Sequence, residues 1–305
     1  MDQNTMSGAR SMKGTLPCLV AILAVSLGGT AIAQTEGVYR AGAERIAASD
    51  DIRRLSQEIA AAACLADAGV DTATHMATLT NAIGEYDALF AALSEGDATR
   101  GIDQPEEDRK MNVALSRVQT LWDNYKPAID ARINGTADPS GLDYISRQNL
   151  NVMHSGKYLV SEVINRYSVP PALLSTDAFT LDIVARQRSL AFQIAKEACG
   201  VITGNTVLGK QARLAKASQR FDVSLNALIN GFPGAGVVPA PTAAIRDGLT
   251  AVQGDWNRVQ TMIDQIGGPG DVQVASDIHD RMSSIATAFD ALVPLYVEES
   301  KAGIN

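Results

Sequence analysis

The chain has 305 residues, 46% of them hydrophobic, 20% charged and 5% aromatic, which supplies a sizeable core and excludes disordered or collagen-like chains. Its formal charge of −8, from 34 acidic and 26 basic residues, argues against nucleic acid or anionic lipid as a partner. The three His and three Cys show no zinc-finger, HExxH, CxxC or CxxCH spacing, so neither a metal nor a cofactor is expected.

Residues 1–33 have the order of a secretory signal peptide. Arg10 and Lys13 lead into an apolar run over 19–27, and Ala31, Ile32 and Ala33 then precede Gln34 as a cleavage site. An uncleaved anchor is the alternative, because 16–33 approaches the length that spans a bilayer, although Pro17, Gly28 and Gly29 make a poor membrane helix. Cleavage after Ala33 would discard Cys18 and leave a periplasmic or secreted chain with no second apolar run of membrane length.

The rest of the chain repeats itself. Residues 53–64, Arg-Arg-Leu-Ser-Gln-Glu-Ile-Ala-Ala-Ala-Ala-Cys, lie over 188–199, Arg-Ser-Leu-Ala-Phe-Gln-Ile-Ala-Lys-Glu-Ala-Cys, at an offset of 135. The same offset places Tyr86 and Asp87 over Phe221 and Asp222, and Gly96 over Gly231. At 134 it places Leu115 over Leu249, Trp122 over Trp256 and Ile129 over Ile263. So many matched sites imply a tandem duplication, with one copy over 34–168 and the other over 172–305.

Each copy reads as four helices, near 38–68, 72–94, 106–134 and 141–167, then near 177–203, 206–230, 242–266 and 272–300. The third helix of the first copy carries Met111, Leu115, Val118, Trp122, Tyr125 and Ile129, and the second copy answers with Ile245, Leu249, Val252, Trp256, Val259 and Ile263. Alternating steps of three and four put each set on one helical face, which a strand cannot present. Both tryptophans sit in these stripes and read as core anchors, whereas Asp87 and Asp222, on helix flanks, read as solvated. Breaks at Gly69, Gly96, Gly135, Pro170, Gly204, Gly231 and Gly267 end the helices. The expected fold is all-α: tandem antiparallel four-helix bundles, or one continuous elongated bundle with helices shared between the copies.

Residues 185–199 carry a further signal. Arg186, Gln187, Arg188 and Leu190 match a motif that runs roughly Gly-Arg-Gln-Arg-Met-Leu-Ser-Gln-Arg, and Arg53, Leu55, Ser56 and Gln57 keep part of it in the first copy. In this the chain resembles the sensor domain shared by type IV pilus methyl-accepting chemotaxis transducers (PilJ type) and nitrate-sensing histidine kinases (NarX type). The motif glycine is replaced by Ala185 and Asp50, and its first arginine by Asp51 in the first copy. In the nitrate-sensing members the motif helix supplies an arginine that binds a small oxyanion between two subunits. The resemblance therefore implies that Arg53 and Arg188, supported by Arg186 and Gln187, hold a small anion such as nitrate or nitrite, for which a guanidinium fork is suited. The competing reading pairs both arginines with carboxylates at a helix interface.

Two copies in one chain could imitate the dimer of those sensors, with a homodimer of the whole chain also open. If they pack through their first helices, Cys64 and Cys199 would meet and could form a disulfide; two separate buried thiols are the reading the residues favour. The function expected from the resemblance is an exported sensor-like binding module without its own signalling output, acting through a membrane receptor or transducer. The alternative is a non-catalytic structural or interaction protein of the envelope or pilus machinery. No ExxH motif, haem motif or nucleophile with a nearby base points to an enzyme.

Overall fold

A computed structural model describes the backbone of residues 27–138, 141–168, 174–205 and 209–302. Most of the signal-like leader lies outside the described residues. Among the described residues are eight α-helices: α1 (Leu27–Asp67), α2 (Thr72–Glu95), α3 (Arg109–Ile133), α4 (Gly141–Tyr167), α5 (Ser175–Ile202), α6 (Lys210–Asn230), α7 (Ala243–Ile263) and α8 (Val272–Ala302). None of them is long and apolar enough to cross a membrane.

The periodic stripes form the core. Every stripe residue of α3 from Met111 to Ile129 is buried, as are Ile245, Leu249, Val252, Trp256 and Val259 of α7. Removing each such side chain from water contributes roughly 1.5–3 kcal/mol, which fixes the face that each helix turns inward. The ends are set by local chemistry. Asp108 accepts the backbone N–H groups of Lys110 and Met111 at 2.8 and 3.0 Å, and Thr242 accepts that of Ile245 at 3.3 Å, so both third helices begin on a side-chain cap. At the matched glycines Gly96 and Gly231, φ is 87° and 80°, a region open to glycine but costly for other residues. A Cβ there would also lie 2.9 Å from Gln104 or Pro239. After each glycine a short 3₁₀ turn is closed by an isolated bridge, Asp97 to Ile102 and Phe232 to Val237.

Helix α1 packs on α2, α4 and α5, while α5 packs on α1, α6 and α8; α3 and α7 lie outermost. The two first helices are thus the central pair, and the main hydrophobic core runs through both copies, with a small second cluster around Cys64, Leu65, Cys199 and Ile202. Arg53 faces Asp182, Gln57 faces Lys196 and Cys64 joins Cys199, so α1 and α5 run parallel, residue for residue near the offset of 135. The bundles stand side by side about this pair, on which helices of both copies pack. Cys64 and Cys199 form a disulfide with their Cα atoms 6.3 Å apart, in place of the two separate thiols that the residues alone favour. Side-by-side packing of equivalent helices is the reason: it brings equivalent positions together.

Candidate functional site at the junction of the copies

The polar motif sits in the middle of the α1–α5 contact, and both of its arginines are buried, Arg53 at 4% and Arg188 at 5% exposure. Buried guanidinium groups need partners. Arg53 pairs with Asp50 on its own helix and, at 3.3 Å, with Asp182 of α5. Arg186 also reaches Asp182, at 3.1 Å. Burial pulls the Arg53 pKa down to about 10; Asp182 opposes this, and the nearby Arg186 and Arg188 add to it. Arg53 therefore keeps its charge at neutral pH in surroundings that disfavour it, and its buried Nε–H has no hydrogen-bond partner.

Beside this cluster a cleft of about 380 Å³ opens between α4 and α6. Arg53, Ser189, Leu190 and Gln193 form its buried floor, and Arg186 lies partly buried among them. Lys157 and His154 of α4 face Arg220 and Gln219 of α6 across it, and no carboxylate is among the lining side chains. In a chain of charge −8 this is a local reversal of sign. Gly156 of α4 lets that helix approach the floor, since a Cβ there would already touch the Arg53 backbone at 3.4 Å.

The equivalent place around Arg188 is built from the opposite charges. At the offset of 135, Asp51 stands where the second copy has Arg186, Glu58 where it has Gln193, and Glu85 where it has Arg220. Asp51 and Asp290 each lie 2.9 Å from the same Arg188 nitrogen. Glu58 pairs with Arg54, and Glu85 holds Arg100 through two bonds of 2.9 and 3.1 Å. The chain's own carboxylates thus line this side and engage Arg188 through that one nitrogen, while its buried Nη2 has no hydrogen-bond partner. Of the four residues expected to bind an anion, Arg53 and Arg186 line the open cleft. Arg188 is enclosed by its carboxylates, and Gln187 is buried with neither amide atom bonded.

A second polar group lies farther along the same helix pair. Lys196 is buried and donates to Gln57 Oε1 at 3.1 Å and Asn149 Oδ1 at 2.7 Å, while Glu197 takes both Lys196 and Arg213, at 2.9 and 3.0 Å. Desolvation lowers the Lys196 pKa, and the neighbouring cations hold that of Glu197 below the usual range despite its burial. With its partners supplied internally this group ties α5 to α1 and α4. Sequence reasoning missed Lys157, Arg220, His154 and Gln193. Arg220 and Gln193 fall inside segments that resemble the family, but α4, which carries Lys157, has only a weak counterpart in α8.

Fold and site together define a duplicated helical module whose two motif helices, α1 and α5, pack against each other. The sequence matches the family described as the type IV pili methyl-accepting chemotaxis transducer N-terminal domain (PilJ) twice, over residues 39–147 and 174–285, and the chain belongs to that family. The domain is a non-catalytic sensor domain, periplasmic in the transducers that carry it. No curated protein matches the chain.

Proposed function

We propose that this chain is an exported sensor-like binding module that holds an anion, such as nitrate or nitrite, in the cleft between α4 and α6 and reports its presence to a membrane partner. The observation that carries this reading is the cleft's lining, in which a buried Arg53 with an unpartnered Nε–H joins Arg186, Lys157 and Arg220 and no carboxylate is exposed to the cleft. Donors fixed in place before the ligand arrives, with water partly excluded, bind an anion more strongly than the same groups on a solvated surface. Binding is assigned to the Arg53 side because Arg53 and Arg186 line the cleft, whereas Asp51 and Asp290 lie against Arg188. Export through the signal-like leader and a chemotaxis or pilus-related partner complete the proposal, supported by membership of the transducer family.

A thermal-shift panel of nitrate, nitrite, sulfate and small carboxylates tests it. A ligand held at about a hundred times its Kd stabilises the native state by about 2.7 kcal/mol, and Arg186→Gln should abolish the shift. Arg186 is only partly buried, so this variant should fold. If no anion shifts the unfodified protein's unfolding, the sensor reading gives way to an interaction protein of the envelope or pilus machinery.

A further inference from the structure

The shape and charge of the cleft say more about the ligand than that it is an anion. A single small oxyanion can satisfy the donor fork of Arg53 or Arg186, but it leaves the opposite wall untouched. That wall is the cleft's outer rim, with Lys157 on its α4 side and Arg220 on its α6 side, both exposed and neither with an ion-pair partner among the described residues. The floor cations, by contrast, are largely balanced by Asp50 and Asp182. The uncompensated charge of the site is therefore close to that of the two wall cations together. The lining also offers apolar groups, Met153, Leu190 and Val223, and the neutral donors Ser189, Gln193, Gln219 and Ser224. A volume of about 380 Å³ is in the range of pockets that enclose whole organic metabolites.

On the reading that the cleft binds anions, we infer that its preferred ligand is an organic dianion, a dicarboxylate with a short carbon skeleton. One carboxylate sits against Arg53 and Arg186 on the floor, the methylene carbons lie over Met153, Leu190 and Val223, and the second carboxylate meets Lys157 and Arg220. Two carboxylates match the uncompensated pair of cations. A bisphosphate would bring more negative charge than those two cations offset, close to the buried Asp50 and Asp182. Because Lys157 belongs to the first copy and Arg220 to the second, such a ligand clamps α4 and α6 across the junction. A monovalent anion on the floor would not.

Titration calorimetry on the full chain with nitrate, acetate, succinate, glutarate, citrate and a sugar bisphosphate tests this. The expected result is that succinate or glutarate binds at least tenfold more tightly than acetate or nitrate, and more tightly than citrate. The Lys157→Gln/Arg220→Gln double variant, changed only at exposed positions, should lose that advantage, its affinity for succinate or glutarate falling to that for acetate measured on the same variant. If nitrate binds and no dicarboxylate binds more tightly, the dicarboxylate inference is overturned and the anion site stands. It is likewise overturned if the double variant leaves dicarboxylate affinity unchanged, or if only citrate or the bisphosphate binds. Binding of no probe at all would overturn both readings.

Discussion

Trp122 and Trp256 are filled into the core as their helical stripes require, yet each carries one N–H that an apolar core cannot satisfy. Trp122 Nε1–H donates to Asp87 Oδ1 at 2.6 Å, and Trp256 Nε1–H to Asp222 Oδ1 at 3.1 Å. The two aspartates read from the sequence as solvated flank residues are therefore acceptors at the edge of the core. Their recurrence beside a recurring tryptophan was the legible signal, but helical spacing alone cannot show that α2 turns Asp87 towards α3. Trp122→Phe keeps most of the apolar volume and stack on Tyr86 but removes the donor. It should cost about 1–2 kcal/mol in urea unfolding, since Asp87 is exposed enough for water to replace the bond. An unchanged stability would mean that the bond is energetically idle.

Among the helices, α1 and α5 bear the most on both fold and site, because each packs on its own copy and on the other. Their small-residue run, Ala60 to Ala63 in α1 with Ala195 and Ala198 in α5, is buried throughout. The disulfide closes this pair across a sequence separation of 135 residues. A cross-link over so long a loop restricts the unfolded chain strongly. Replacing Cys64 and Cys199 by Ser should therefore lower stability by about 2–5 kcal/mol, read as a lower urea midpoint than that of the oxidised protein. Equal midpoints would show that helix packing alone sets the stability of the pair. The sequence placed both cysteines at equivalent positions but could not decide between bond and thiols, since that depends on which faces of the copies meet.

Across the whole molecule, the copies also meet where His75 of α2 lies edge-to-face on His279 of α8, with ring centroids 5.0 Å apart. Both rings are buried, and Nδ1 of His75 and Nε2 of His279 have no partner. Burial lowers both pKa values from 6.5; His279 lowers that of His75 further, and Asp71 and Asp280 partly oppose the shifts. The unfolded chain thus takes up protons near pH 6.5 before the folded one does. The stability associated with the neutral pair is complete above that pH and is lost as pH falls below it, down to the folded-state values. Urea unfolding at pH 7.5 and 5.5 should show a decrease of at most about 1.4 kcal/mol per pH unit for each ring, reduced in His279→Phe. A pH dependence identical in that variant would place the titration elsewhere.

Eight helices, most of their ends, the duplication and the family were legible in the chain because each rests on local periodicity, capping residues or self-similarity, which need no knowledge of neighbours; α1, expected from near 38, instead begins at Leu27. Which motif arginine faces an open cleft was not. By motif match Arg188 was the stronger candidate, with Arg53 set beside an acidic pair, yet Asp51 turns to Arg54 and Arg188 and leaves Arg53 with Arg186 at the cleft. Residues equivalent in sequence meet different helices in space, Arg53 meeting α4 with its glycine and Arg188 meeting α8 with Asp290. The sign of the potential at a buried guanidinium is set by charges a few ångströms away on other helices, and only the packing of α4, α5 and α8 around α1 brings those charges together.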